Sequence, residues 1–130
     1  MNPDLTPATL PQHLAARVHV VATDGSRAGT PGPGAVIYWM RTAVRAHDNP
    51  ALDVALVVAR NLRRPIWIYH ALSERYPYAS DRHHRFILEG ARDVESECAA
   101  RGIGYAFPRE RPGHRGPHLR TIAADAALVV

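Results

Sequence analysis

Charged and polar side chains are concentrated between an apolar run and a predicted helix start. The apolar run at residues 35–40 is followed by Arg41 and Arg45, and Asp48 and Asn49 stand directly before a proline. An arginine offers oxyanions a fixed cationic fork, and a helix N-terminus offers unsatisfied backbone N–H groups. In α/β proteins, ligands lie beyond the carboxyl ends of parallel strands. The pattern therefore predicts a ligand site at the end of the first strand.

This segment and the end of the next predicted strand would together suit a planar anionic ligand. The candidate binding residues lie on two sides of such a ligand: Trp39, Met40, Arg41, Arg45, Asp48 and Asn49 on one, and His70 and Leu72 on the other. The same residues have a structural alternative, in which Asp48 and Asn49 only cap the helix and Arg45 pairs with Asp48. Both roles stay open for Arg45, whereas capping is favoured for Asp48 and Asn49.

Other kinds of chemistry find little support in the sequence. Neither glycine-rich phosphate motif follows the first strand, so a dinucleotide fingerprint or a P-loop is not expected. The single cysteine, Cys98, excludes a disulfide framework and a Cys-based zinc site. The pairs His83-His84 and His114/His118 lack accompanying acidic residues, and we predict neither a metal site nor a catalytic residue. The basic run at residues 109–120 is interpreted as a solvated loop, with phosphate contact as the alternative.

Length and composition indicate one globular domain outside the membrane. The chain has 130 residues, of which 46% are apolar and 22% charged, and its net charge is +4. All 16 basic residues are arginine, which fits either phosphate contact or a biased genomic composition. We find neither an apolar stretch near the ~20 residues of a membrane span nor a secretory signal pattern, and we therefore expect a cytoplasmic location and no membrane partner.

Hydrophobic patterning predicts an alternation of strands and helices after a Pro/Gly-rich leader. Residues 1–34 are expected to be flexible or extended, with a possible short strand at 17–21, and residues 35–130 form the domain. Strands are predicted at 35–40, 65–72, 103–107 and 127–130, and helices at 49–63, 81–101 and 118–126. Trp39 and Trp67 fall within apolar strands and are expected to pack in the core, with Trp39 the better candidate of the two to reach a pocket.

This alternation predicts a Rossmann-like, three-layer α/β fold. Nearly continuous apolar strands separated by helices are typical of a parallel sheet that is covered on both faces. We expect the strand order 3-2-1-4, with helices on both faces. The last apolar run ends at Val130, and we interpret the final strand as truncated and the chain as a fragment that is incomplete at its C-terminus.

Several spaced strings over residues 35–130 resemble the DNA photolyases of class II. The residues that carry the resemblance are Tyr38-Trp39-Met40, Arg45, Asp48-Asn49, Ala51-Leu52, Asp81-Arg82-His83-His84-Arg85-Phe86-Ile87-Leu88-Glu89-Gly90, Ala99-Ala100-Arg101-Gly102-Ile103 and the terminal Ala-Ala-Leu-Val-Val. Two positions depart from the pattern. Ala43 stands where many members have Asp, and Pro50 stands where many have Trp.

The resemblance implies that this segment is the N-terminal α/β domain of a photolyase that repairs cyclobutane pyrimidine dimers with light. In many members that domain holds an antenna chromophore, a deazaflavin or a folate. FAD and the dimer pocket belong to a helical C-terminal domain that this sequence lacks. The implied partners are that FAD-binding domain and, through the full-length lyase, DNA. The chain alone is then expected to be catalytically inactive. The alternative is a stand-alone small-ligand or nucleotide-binding module of the same superfamily.

Overall fold

In a computed structural model, the described part of the chain contains four parallel strands and four helices. The structure describes residues 10–21, 32–73, 77–109, 116 and 118–130, so most of the leader and most of the basic loop lie outside the described residues. The strands are β1 (Val36–Trp39), β2 (Ile66–Tyr69), β3 (Gly104–Ala106) and β4 (Leu128–Val129), and the helices are α1 (Gln12–Ala15), α2 (Pro50–Leu62), α3 (Asp81–Ala100) and α4 (His118–Ala123).

The sheet has the order β3-β2-β1-β4, and every neighbouring pair is parallel. This arrangement confirms the predicted α/β class and strand order. Side chains alternate between the two faces of a strand. Val36, Tyr38 and Ile68 therefore share one face, where they form a single core with residues of α2 and α3. The carboxyl ends of β1, β2 and β3 meet at one edge of the sheet.

Helix α2 begins and ends where the sequence predicts. The Asn49 side chain accepts a hydrogen bond from the backbone N–H of Leu52, and Pro50 occupies the first helical position, where a missing N–H costs nothing. The helix ends at Arg63, which adopts a left-handed conformation with φ of 53°. Its buried face packs against β1 and β2 and forms the central part of the core.

Helix α3 covers β3 with a narrow stripe of buried residues. Ser80 caps the helix by accepting from the backbone N–H of His83, and Gly102 follows the helix with φ of +66°. The fully buried Cys98 lies on the stripe, and desolvation raises the pKa of its thiol. Phe86 of the same helix is not part of this stripe, because its side chain is 75% exposed.

The opposite face of the sheet is more open than predicted. Trp39 is 40% exposed and Trp67 is 47% exposed, so the expectation that both tryptophans pack in the core is wrong. Helix α4 is the element beside this face, and it ends at Ala123 rather than at the predicted residue 126. Because α4 is short and has no buried residue, much of the aromatic surface stays in contact with solvent.

A short helix in the predicted leader was not foreseen from the sequence. Leu14 of α1 is 3% exposed and joins the core, and α1 packs against α2. Residues 18–21 are not a strand, and Val20 and Val21 are largely exposed, so the predicted short strand is wrong. A four-residue helix is too short to show an apolar period in sequence. Among the described residues, no helix is long and apolar enough to cross a membrane.

Candidate functional site

A cavity of about 360 Å³ lies at the carboxyl edge of the sheet. The ends of β1 and β2 form one wall, and the residues after β3 together with the start of α4 form the other. The lining residues are Trp39, Met40, Arg41, Tyr69, His70, Ala71, Pro108, Gly116, His118, Leu119 and Arg120. Its position is the one where open parallel sheets bind ligands, and its volume lies at the small end of the range for small-molecule sites.

The cavity lining carries cations and, among the described residues, no carboxylate. Arg41 and Arg120 contribute guanidinium groups, and neither forms an ion pair within the described ranges. The guanidinium carbon of Arg41 lies 4.9 Å from the centre of the Trp39 ring, a cation–π distance. This contact stabilises Arg41 at the edge of the cavity while leaving N–H donors available. The lining therefore favours an anionic ligand over a cationic one.

His70 is the buried polar residue of the cavity wall. It follows β2, it is 5% exposed, and its Nδ1 lies 2.9 Å from the hydroxyl oxygen of Tyr105. The ring of Phe107 packs against the imidazole, with the ring centres 4.8 Å apart. Burial lowers the pKa of His70 and raises the pKa of Tyr105, so both groups are neutral near pH 7.

The arrangement can bind a planar ligand that carries negative charge or acceptor oxygens. The Trp39 indole supplies an aromatic face, the two arginines supply charge, and His70 supplies a polar atom in an otherwise apolar wall. Within the described ranges, no group of three or more His, Cys, Asp or Glu side chains could hold a metal ion. The side chains of the cavity are suited to recognition of a small molecule.

The residues predicted from sequence to bind a ligand separate into two groups. Trp39, Met40, Arg41 and His70 come together in the cavity lining. The remaining four are not among its lining residues. Of these, Leu72 forms an isolated parallel bridge with Arg109, and the others are Arg45, Asp48 and Asn49.

Asn49 organises the turn between β1 and α2. It is 2% exposed, and its Oδ1 accepts from the Leu52 backbone N–H. Its Nδ2 lies 3.1 Å and 3.0 Å from the backbone oxygens of Ala43 and Arg45, and 3.0 Å from the hydroxyl oxygen of Tyr38. Since these contacts use the whole amide, the structural role of Asn49 accounts for all of its polar atoms.

Arg45 and Asp48 complete the same turn at the surface. The Nε of Arg45 donates to the backbone oxygen of Asp48 at 3.0 Å, so the predicted pairing exists but involves a carbonyl group. Asp48 has φ of 45°, a left-handed conformation that Asp tolerates better than most residues. Arg101 donates to the backbone oxygen of Ala46 and thereby ties the turn to the end of α3.

A second and larger concavity of about 880 Å³ lies between α1, α2 and β4. Apolar residues form most of its wall, and the Asn49 amide within it is already hydrogen-bonded. Trp39 and Arg41 border this groove as well as the smaller cavity. Because Arg41, Arg120 and His70 converge in the smaller cavity at the carboxyl ends of the strands, we place the candidate site there.

Sequence reasoning missed the residues that come from the third crossover. His118 and Arg120 were not candidates, since the segment from 109 to 120 was interpreted as a solvated loop, and Tyr105 of β3, which contacts His70, was not a candidate either. A usable signal existed in the predicted order of the strands. The carboxyl end of the third strand must lie beside that of the second, so residues after both strands face one edge.

Comparison with known proteins points to one family. The sequence model of the family described as DNA photolyase matches residues 36–129. The chain is 42% identical over 95 residues to a deoxyribodipyrimidine photo-lyase of Methanothermobacter thermautotrophicus. The aligned region covers 73% of this chain and 21% of that protein. It is 28% identical over 124 residues to a deoxyribodipyrimidine photo-lyase of Oryza sativa subsp. japonica, 94% of this chain and 24% of that protein. The chain thus spans between a fifth and a quarter of the length of these relatives.

Proposed function

The chain belongs to the DNA photolyase family, and on that premise we propose that it is the N-terminal, antenna-type domain of a class II photolyase. The activity of the whole protein is then light-driven repair of cyclobutane pyrimidine dimers in DNA. Support comes from the family match over nearly the whole described α/β domain and from two relatives that are named photo-lyases.

The observation that carries the proposal is the cavity at the carboxyl ends of β1 and β2. It combines an aromatic face at Trp39 with the guanidinium groups of Arg41 and Arg120. We propose that it binds an antenna chromophore, a deazaflavin or a folate. Such a chromophore absorbs light and passes the excitation energy on to FAD.

The residues of the cavity have separate tasks in this proposal. Trp39 stacks against the fused ring, Arg41 and Arg120 neutralise acidic substituents, and the rings of His70 and Tyr69 exclude water from one side. The volume of about 360 Å³ suits one fused-ring group with a short polar substituent, so longer substituents would extend toward solvent.

Catalysis is assigned to a different part of the lyase. FAD and the damaged bases would bind to a helical domain, which is the proposed partner of this chain, and contact with DNA would occur through the full-length protein. This chain is then inactive in repair by itself. Its relatives are about three and a half to four times as long as this chain, which leaves room for such a domain in them.

A matched pair of arginine variants tests the ligand site. We expect the chain to bind a deazaflavin or a folate with one-to-one stoichiometry, followed by quenching of tryptophan fluorescence. Arg41→Gln removes a cation of the cavity and should weaken binding about tenfold, or ~1.4 kcal/mol. Arg45→Gln removes a cation outside the cavity and should leave the affinity within about twofold.

Two outcomes would contradict the proposed ligand. If neither chromophore binds, the antenna assignment fails. If a mononucleotide binds in the same cavity instead, the stand-alone nucleotide-binding module becomes the better description of the chain.

A further inference from the structure

His70 has one ring nitrogen engaged and one nitrogen available in the cavity wall. Nδ1 is within hydrogen-bond distance of the Tyr105 hydroxyl, at 2.9 Å. No hydrogen bond to Nε2 occurs among the described residues, and His70 lines the cavity. The imidazole packs against the rings of Tyr105 and Phe107, with ring centres 6.3 Å and 4.8 Å away. The direction of the available nitrogen is therefore fixed by packing.

The proton in the contact between His70 and Tyr105 has two possible positions. Burial lowers the pKa of His70 and raises that of Tyr105, so a neutral imidazole meets a neutral phenol. The phenolic O–H is a good donor, and the unprotonated nitrogen of a neutral imidazole is a better base than a phenol oxygen. The Tyr105 hydroxyl therefore donates to Nδ1, which leaves the single imidazole proton on Nε2.

We infer that Tyr105 fixes His70 in the Nε2–H tautomer and that His70 thereby selects ligands which present an acceptor atom to the cavity wall. The inference rests on the proposed function in so far as it treats this cavity as the ligand site. His70 is then a specificity-determining residue, and Tyr105 is a positioning residue that acts through it.

The ligand class follows from the set of donors. Arg41 and Arg120 have only donors, and His70 in this tautomer adds one more. A ligand with a carbonyl or deprotonated oxygen, or an unprotonated ring nitrogen, satisfies His70. A ligand that presents an N–H there leaves two donors facing each other without an acceptor, which costs binding free energy.

Nitrogen NMR of the histidine ring tests the tautomer without any ligand. In the full chain labelled with ¹⁵N, we expect the neutral His70 ring to show a protonated Nε2 and an unprotonated Nδ1. Tyr105→Phe keeps the aromatic ring but removes the donor, so the two tautomers should become mixed. A protonated Nδ1 in the unmodified chain would overturn the inference, as would a tautomer that Tyr105→Phe leaves unchanged.

A pair of His70 variants separates recognition from packing. His70→Gln retains a side-chain N–H donor near the position of Nε2, whereas His70→Asn retains a polar atom near Nδ1 and cannot reach as far. We expect the affinity for a deazaflavin to fall roughly tenfold in the Asn variant and to fall less than threefold in the Gln variant. The opposite order would show that the contact with Tyr105 is the only role of His70 and would overturn the inference.

These experiments distinguish a failure of the inference about His70 from a failure of the proposed function. If the unmodified chain binds no deazaflavin while NMR shows the Nε2–H tautomer, the antenna ligand is refuted. The donor on His70 is then supported, and the His70 variants are compared with a folate or a mononucleotide as probe. Melting transitions of both variants within a few degrees of the unmodified chain confirm that loss of binding is not loss of folding.

Discussion

At the scale of single residues, the turn before α2 depends on one buried amide. Asn49 links the Tyr38 hydroxyl, two turn carbonyls and the Leu52 N–H in the first turn of the helix. The sequence predicted the cap from residue type and position. It could not predict the two carbonyl contacts, because these depend on how the turn folds back in three dimensions. The same contacts explain why Asn49 is not available to a ligand.

Replacement of Asn49 should destabilise the protein more than the loss of a surface cap would. We expect Asn49→Ala to lower the free energy of unfolding by about 2–3 kcal/mol, because a cap is lost and buried partners are left unpaired. Urea unfolding measures the change. Asn49→Asp is the matched control, since it keeps the cap acceptor but loses both N–H donors, and it should show an intermediate to full loss. A change below about 0.5 kcal/mol for Asn49→Ala would contradict this account.

His70 should make stability depend on pH in the mildly acidic range. Its pKa in the folded state lies below the unperturbed value of about 6.5, so the unfolded chain binds the proton first. The contribution of His70 to stability is therefore present above about pH 6.5 and declines as the pH falls through that value toward the lower folded pKa. Urea unfolding at pH 7.5 and pH 5 should show a smaller loss in His70→Gln than in the unmodified chain. An equal loss in both proteins would contradict the role assigned to burial.

At the scale of elements, the glycine next to β1 allows a close backbone approach. The N–H of Gly34 donates to the backbone oxygen of Asp125 at 2.8 Å. A Cβ at this position would lie 2.3 Å from the same oxygen. The segment that enters β1 and the segment that enters β4 thus contact each other through the backbone, and an added methyl group forces one of them to move.

Two Gly→Ala variants should therefore have opposite effects. Gly34→Ala is expected to lower the free energy of unfolding by about 1–3 kcal/mol, because the backbone must shift. Gly90→Ala lies within α3 with no atom within 4 Å of the added Cβ, and it should raise stability by about 0.5–1 kcal/mol. Thermal unfolding of both variants measures the difference. Stabilisation by Gly34→Ala would show that the two segments do not approach as closely as described.

The sequence predicted the ends of helices well where those ends have a local cause. The caps at Asn49 and Ser80, the proline at the first position of α2 and the left-handed Gly102 are local signals, and the helices begin or end there. The two exposed tryptophans could not be foreseen. The sequence of an apolar strand indicates burial on both faces of the sheet. Only the tertiary structure shows that α4 leaves one of those faces largely open.

At the scale of the whole molecule, the site depends on the order of strands rather than on any one motif. Residues at three strand ends and in α4 form the cavity, and they are separated by up to about eighty positions in sequence. The β1 and β2 contributions were predicted, since those strands are neighbours in the expected order. His118 and Arg120 were missed because a basic loop gives no sign of which side chains turn inward.

The activity of the isolated chain gives a further prediction at this scale. The chain with added FAD is expected to leave thymine dimers in DNA intact under blue light, since the FAD and dimer sites are assigned to another domain. Chromatographic assay of dimers measures the outcome, with a full-length photolyase as the positive control. Light-dependent repair together with a stoichiometric FAD complex would show that the catalytic site is within this chain.

The central claim is that the cavity at the carboxyl edge of the sheet is where this chain binds its ligand. A titration of the ¹⁵N-labelled chain with a deazaflavin, followed by two-dimensional NMR of backbone amides, tests it most directly. The account predicts saturable shift changes confined to residues 39–41, 69–71 and 118–120, which line the cavity. Changes centred instead on residues 45–50, on the groove beside α1, or on no residues at all would contradict it.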